Sequence, residues 1–241
     1  MERVDEWLGY ARPDVLLMQE TKMSEDQFPH DHFAQLGYES VHSGEGRWNG
    51  VAILSSVGIE EPFKGFADGG EEDPEARIVS AICGGIKVSS VYVPNGREVD
   101  HDHYRYKLSW MARLKGHLEA TCQPDDLLLV GGDYNICPDD RDVWDPQNPI
   151  SRTHVTKKER DALTALEQWG LADVFREFYE DEEKTKLKDK EIRVDLFCFI
   201  KVTTRINTIK IRRTKKYTRN RSFTEELLQQ LQAVHHQDQS L

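Results

Sequence analysis

The sequence predicts an α/β protein built as a sandwich of layers. Three observations carry this. Strand-like apolar runs outnumber helical patterns, and the helical patterns fall between groups of strands. Two of the apolar runs also stop abruptly at oxygen-bearing side chains. Val15–Met18 ends at Gln19-Glu20-Thr21, and Leu127–Val130 ends at Gly131-Gly132-Asp133-Tyr134-Asn135.

In chain order, residues 1–11 read as a short helix with Val4, Trp7 and Leu8 on one face, stopped before Pro13. Residues 15–20 read as a buried strand. Residues 24–36 start as a helix that Pro29 interrupts. Residues 38–42 and 49–55 (NGVAILS) read as strands, and 66–74 as an exposed acidic loop. Residues 77–83 and 86–93 flank Gly84-Gly85, a hairpin signature. Residues 99–121 form the longest helical pattern, with Tyr106, Trp110, Leu114 and Leu118 on one stripe. Residues 126–131 are a central strand and 135–152 a polar loop. Thr156 with Glu159 is a capping box opening a helix that Gly170 ends. Residues 177–191 read as a charged linker, 192–202 and 206–211 as strands, and 223–234 as a terminal helix.

Composition excludes several classes. No apolar run approaches the ~20 residues of a membrane span, and no signal-peptide pattern opens the chain, so a cytoplasmic setting is expected. The four cysteines form no CxxC pair, which argues against zinc and a disulfide framework. Net charge is −11, unevenly spread: residues 201–221 carry nine Lys/Arg and no Asp/Glu, whereas 1–200 hold 23 basic and 40 acidic residues. The body repels a polyanion at long range, and the 201–221 segment attracts one locally. A solvated strand pair explains that segment equally well.

Glu20 is a hard oxygen ligand of the kind Mg²⁺ or Mn²⁺ takes. Taken alone it is more simply a strand-end carboxylate facing water. Asp133 and Asn135 lie two apart, so on a strand they share a side. A carboxylate can accept a proton from water, and an amide can donate to a phosphoryl oxygen. The competing account is an Asx turn closing the strand. Tyr106 is more simply core, Asn49-Gly50 a turn, and His101 and His103 surface histidines.

Seven segments in order resemble the exonuclease III family of abasic-site endonucleases, within the endonuclease/exonuclease/phosphatase superfamily. They are PDVLLMQETK (13–22), NGVAIL (49–54), VYVPNGR (91–97), YKLSWMARL (106–114), LLLVGGDYNI (127–136), PDDRDVWD (138–145) and THVTKKERDALTALEQWGLADV (153–174). The resemblance implies a four-layered α/β sandwich of two packed mixed sheets flanked by helices. It implies Glu20 as metal ligand, with Asp133 and Asn135 beside the same ion. Tyr106 is implied as the phosphate-contacting tyrosine, Asp133 as the residue acting on the attacking water, Asn135 as a transition-state stabiliser, and Asp195 of Arg193-Val194-Asp195 as a supporting carboxylate.

The chain departs from the family at both ends. It begins at the helix that follows the family's first, asparagine-bearing strand, so an unpaired strand edge is expected. The terminal Ser-Asp-His is not found, and 177–191 replaces the family's aromatic segment. The implied organisation is a catalytic domain over 1–200 and a basic segment and polar tail over 201–241 within the same domain. The implied function is a Mg²⁺- or Mn²⁺-dependent DNA-repair nuclease, monomeric, acting on duplex DNA at abasic sites and 3′ ends. The alternatives are a catalytically inactive DNA-binding remnant and a phosphatase of small phosphoesters.

Overall fold

Strand Val51–Ser55 (β3) is apolar on both faces, and every residue in it is buried. That pattern fits only a strand covered on two sides. In the computed structural model, which describes residues 2–123, 126–143, 153–173, 176 and 197–201, β3 lies at the centre of a three-stranded antiparallel sheet. Its neighbours are Val15–Gln19 (β1) and Glu39–Ser43 (β2), in the order β1-β3-β2. Val51 and Ile53 point to one side, Ala52 and Leu54 to the other, as the two-residue period of a strand requires.

The second sheet has six strands in the order β4-β5-β6-β7-β9-β8: Glu60–Lys64 (β4), Ile78–Cys83 (β5), Ile86–Tyr92 (β6), Leu128–Asp133 (β7), Ala172–Asp173 (β8) and Phe197–Lys201 (β9). β5 and β6 form the hairpin turned by Gly84-Gly85. β6 and β7 are parallel, joined across by the helix Asp102–Thr121 (α3). This crossover leaves both strands ending at the same edge. Among the described residues the first sheet is antiparallel and the second mixed, where two mixed sheets were expected. The reason is connectivity: β2 and β3 are sequential neighbours, and β1 pairs β3 antiparallel.

Three apolar clusters define four layers. Helices Glu2–Ala11 (α1) and His30–Gln35 (α2) cover the outer face of the first sheet through Leu8 and Phe33, joined by Phe28 and Tyr38 from the segments flanking α2. Val41, Val51 and Ile53 pack against Val79, Ala81 and Val88 between the sheets. Trp110, Leu114 and Leu118 of α3, with Leu163 and Leu166 of Lys157–Trp169 (α4), cover the outer face of the second sheet. Burying each such side chain contributes about 1.5–3 kcal/mol.

Most boundaries follow the sequence expectations within a few residues. Pro29 splits 24–36 into a 3₁₀ turn, Glu25–Gln27, and α2. The Thr156–Glu159 capping box and the Gly170 stop are both present. β4 was not foreseen: Glu-Glu-Pro-Phe-Lys is exposed at every residue and carries no apolar alternation. It forms an edge strand, where its proline is tolerated. β1 has β3 on one side only among the described residues, and all five of its residues are half-buried, as expected of an edge. β9 ends at Lys201, so the sheet reaches the first residue of the basic segment. The rest of that segment, the 206–211 strand, the 177–191 linker and the 223–234 helix lie outside the described residues. Cys83, Cys122 and Cys137 are free thiols.

Candidate active site

The period of β6 decides which of its residues meet the first sheet. Val88 faces the inter-sheet core and Val91 the α3 side, so Ser90 and Tyr92 fall on the inter-sheet face. Ser90 Oγ donates to the Met18 carbonyl (3.2 Å) and accepts from Gln19 Nε2 (3.0 Å). These bonds tie the end of β1 to β6, one residue before Glu20.

The chain then turns sharply. Glu20 and Lys22 both have φ 52°, a left-handed conformation uncommon outside glycine. The turn is braced by the Asn49-Gly50 turn that enters β3: Thr21 N–H donates to the Gly50 carbonyl (3.2 Å) and Lys22 N–H to the Asn49 carbonyl (3.0 Å). Gly50 has φ 91°, and a Cβ there would lie 2.1 Å from Thr21 Oγ1. Behind it, Thr21 Oγ1 bonds His42 Nε2 (2.8 Å), and the His42 ring stacks on Phe28 at 4.2 Å. Glu20 is thereby held outward. The Lys22 ammonium, 2.7 Å away, holds its carboxyl below the ordinary value, so it is a carboxylate at neutral pH.

Tyr92 is the register partner of Asp133 across the parallel pair. Its hydroxyl is pushed up to about 12, first by burial and then by the Glu20 charge, with Asp133 adding in the same direction. The phenol is thus neutral and feels the charge of both carboxylates. The Arg77 guanidinium stacks over its ring at 4.7 Å and donates to its carbonyl (3.1 Å). Gly132 makes the close strand approach possible: its φ is 149°, and a Cβ there would sit 1.9 Å from the Val91 carbonyl oxygen.

Asp133 and Asn135 form the Asx turn that the sequence offered as one account: Asn135 N–H donates to Asp133 Oδ1 (2.8 Å). The amide of Asn135 is engaged at both ends. Its Nδ2 donates to the Val93 carbonyl (2.9 Å), and its Oδ1 lies 3.4 Å from Asn95 Nδ2 and 3.2 Å from His154 Nε2. Burial and the nearby Lys107 charge depress His154, which is neutral at pH 7.

Tyr106 lies within the field of Arg77, the guanidinium that stacks over Tyr92. The Tyr106 hydroxyl donates to Asp73 Oδ1 (2.7 Å), and burial pushes it far up. Helix α3 carries it to the outer face of the second sheet, where it packs beside the α3 core. The tyrosine hydroxyl that feels both the Glu20 and the Asp133 charge is that of Tyr92, within VYVPNGR. Asn95, Lys107, His154 and Glu159 lie inside the family-like segments VYVPNGR, YKLSWMARL and THVTKKER, the signal that could have found them, whereas Arg77 lies in none. His101 and His103 sit at the start of α3, and His101 caps it by accepting from His103 N–H (3.0 Å). Asp195 lies outside the described residues.

The donor set fits a hard divalent cation. Among the described residues no three His, Cys, Asp or Glu side chains cluster closely enough to enclose an ion. Glu20, half-exposed and ionised at a strand end, suits a hard divalent cation held by few carboxylates and completed by water and substrate phosphate.

A sequence profile described as the Endonuclease/Exonuclease/phosphatase family matches residues 1–188. The chain is 31% identical over 176 residues to exodeoxyribonuclease III of Haemophilus influenzae, covering 68% of this chain and 66% of that one. It therefore spans just under two thirds of that relative. The fold matches an AP endonuclease from Archaeoglobus fulgidus (TM-score 0.71, 34% identity, 76% of this chain and 70% of that one). It also matches the 3′-5′ exonuclease NExo from Neisseria meningitidis (TM-score 0.74, 28% identity, 83% and 80%). Two face-to-face sheets with carboxylates at one edge, and a profile matched over most of the length, have one reading: the chain belongs to the endonuclease/exonuclease/phosphatase family.

Proposed function

We propose that the chain is a DNA-repair phosphoester hydrolase of the exodeoxyribonuclease III kind, acting on duplex DNA at abasic sites and 3′ ends. The observation that carries this is the joint ending of β1, β6 and β7 at one edge, with Gln19 and Met18 bonded to Ser90 and Tyr92 in register with Asp133, which supports Glu20 and Asp133 acting together. Relatives named for exonuclease and AP endonuclease activity support the substrate class. The exposed Trp48, with the Arg47 guanidinium 5.5 Å from its ring, supports it further. An aromatic face next to a cation suits a base and its phosphate.

A divalent cation at Glu20, which nucleases of this family generally use and which we take as Mg²⁺ in preference to Mn²⁺, would polarise the phosphodiester. Asp133 accepts the proton of the attacking water as its oxygen bonds to phosphorus and the P–O bond to the leaving strand breaks. The Tyr92 hydroxyl donates to a phosphoryl oxygen. Asn135 holds the Asp133 turn and the His154 ring. Asp195 is kept as a supporting carboxylate on the resemblance alone, and Tyr106 is assigned to packing. A cytosolic monomer, with one catalytic domain and a basic extension past residue 200, completes the proposal.

The test is cleavage of a duplex carrying an abasic analogue, and of a recessed 3′ end, with Mg²⁺ and then with EDTA. Turnover should stop on chelation and return with metal. Cleavage that persists in EDTA, or survives Asp133→Ala, rejects the mechanism. Salt-dependent DNA binding with no turnover would instead support the inactive-remnant alternative, and hydrolysis of an inositol phosphate but not DNA the small-phosphoester one.

A further inference from the structure

Lys107 is wholly buried on α3, and its ammonium has three acceptors. Nζ donates to Glu159 Oε1 (2.5 Å), the Asn135 carbonyl (2.6 Å) and the Asn95 carbonyl (3.3 Å). An ammonium has three protons, so all are used. Glu159, also wholly buried, is equally committed: Oε1 accepts from His154 N–H (2.9 Å), and Oε2 accepts from Thr156 N–H (3.0 Å) and Oγ1 (2.8 Å). One ion pair thus joins the loop after β6, the loop after β7 and the start of α4.

Three residues beside this pair have left-handed backbones: Arg97 (φ 56°), Asn135 (φ 50°) and His154 (φ 80°). Such conformations persist where surrounding contacts over-determine them. Gly96, at φ 91°, leaves just enough room, since a Cβ there would lie 3.1 Å from Lys107 Cδ. A buried ion pair is a poor device for stability, because apolar replacement of both partners is often neutral or better. Three backbone segments fixed at one point is what this pair supplies instead.

We propose that Lys107 and Glu159 are positioning residues of the active site, clamping the main chain at Asn95, Asn135 and His154 so that the Asp133 carboxylate keeps its place beside Tyr92. This rests on the reading of the site as a DNA phosphoester hydrolase. Neither side chain touches substrate; both act through the backbone they hold.

The test compares Lys107→Met with the double variant Lys107→Met/Glu159→Gln, on abasic-analogue duplex at saturating Mg²⁺. The single variant strands a buried carboxylate and melts lower. The double variant removes both charges and melts above the single variant, though one N–H from which Glu159 accepted then faces the Gln amide nitrogen. Its kcat should nevertheless fall roughly 10–100-fold, with KM within about threefold, since a displacement of about 1 Å at a reacting group costs that much. Hydrogen exchange at the Asn135 and Cys137 amides should quicken in the double variant while the α3 core stays protected. Wild-type kcat together with unchanged exchange at those amides overturns the clamp. A wild-type protein that turns over no DNA, but shows the exchange difference, overturns the nuclease reading and retains the clamp.

Discussion

The Tyr92 hydroxyl and the Glu20 carboxylate come from different sheets and are electrostatically coupled across the seam between them, with Asp133 on the next strand. Replacing Tyr92 with Phe removes the donor and leaves the ring under Arg77. Turnover should fall about 100-fold, the cost of one donor aimed at a developing charge. Tyr106→Phe should do the reverse: Asp73 Oδ1 loses its hydroxyl partner, and stability drops by about 1–3 kcal/mol with little change in kcat. Steady-state kinetics and urea unfolding of both variants decide between the two tyrosines. Equal loss of turnover in both would refute the assignment.

Glu20→Gln should leave the fold intact, because the side chain is half-exposed and, among the described residues, its close ion pair is with Lys22. The Mg²⁺ concentration for half-maximal cleavage should rise by at least the 10–100-fold seen on removing an outer-shell partner. A metal titration of activity with an unchanged half-saturation point removes Glu20 from the ligand set.

Asp133→Asn replaces the proton acceptor by an amide that keeps a carbonyl oxygen for the Asn135 N–H. The cleavage rate should drop about 10²–10⁴-fold, the usual worth of a positioned general base. DNA binding at low salt should be retained, as a fluorescence titration would reveal. A variant within tenfold of wild type makes Asp133 a turn residue and nothing more.

Gly132→Ala forces a Cβ against the Val91 carbonyl in a conformation that other residues rarely adopt. Strand β7 must shift against β6 or distort. A loss of about 1–3 kcal/mol from overpacking is expected, with turnover falling further because Asp133 follows directly. Chemical denaturation reads the first and kinetics the second. A fully stable variant would mean that the β6–β7 contact is looser than described.

Stability should depend on His42 in mild acid. Burial depresses its ring to about 4 from an ordinary value of 6.5, and Glu25 at 3.6 Å offsets only part of this. Between those values the unfolded chain binds a proton that the folded protein does not. Stability is then full above pH 6.5 and declines as pH falls toward 4, by about 3 kcal/mol. Urea unfolding at pH 7 and pH 4.5 should give a smaller loss for His42→Gln than for the wild type. Identical losses would exclude His42 as the source.

The sequence by itself determined the layers and most of the elements, because those are written in local patterns. The all-apolar β3, the Gly84-Gly85 hairpin, the Thr156–Glu159 capping box and the stripe of α3 each report a physical requirement of nearby residues. It also brought out Glu20 and Asp133, since a carboxylate that ends a buried strand stands out in one dimension. Tertiary structure alone brought the Tyr92 hydroxyl into the field of both. Tyr92 and Tyr106 both lie in segments that resemble the family, but the two-residue period of β6 turns Tyr92 toward the first sheet, while α3 carries Tyr106 to Asp73. The roles of Lys107 and Glu159 were equally invisible, since a lysine on a helix and a glutamate in a capping box look ordinary until the fold brings them 2.5 Å apart, out of reach of water.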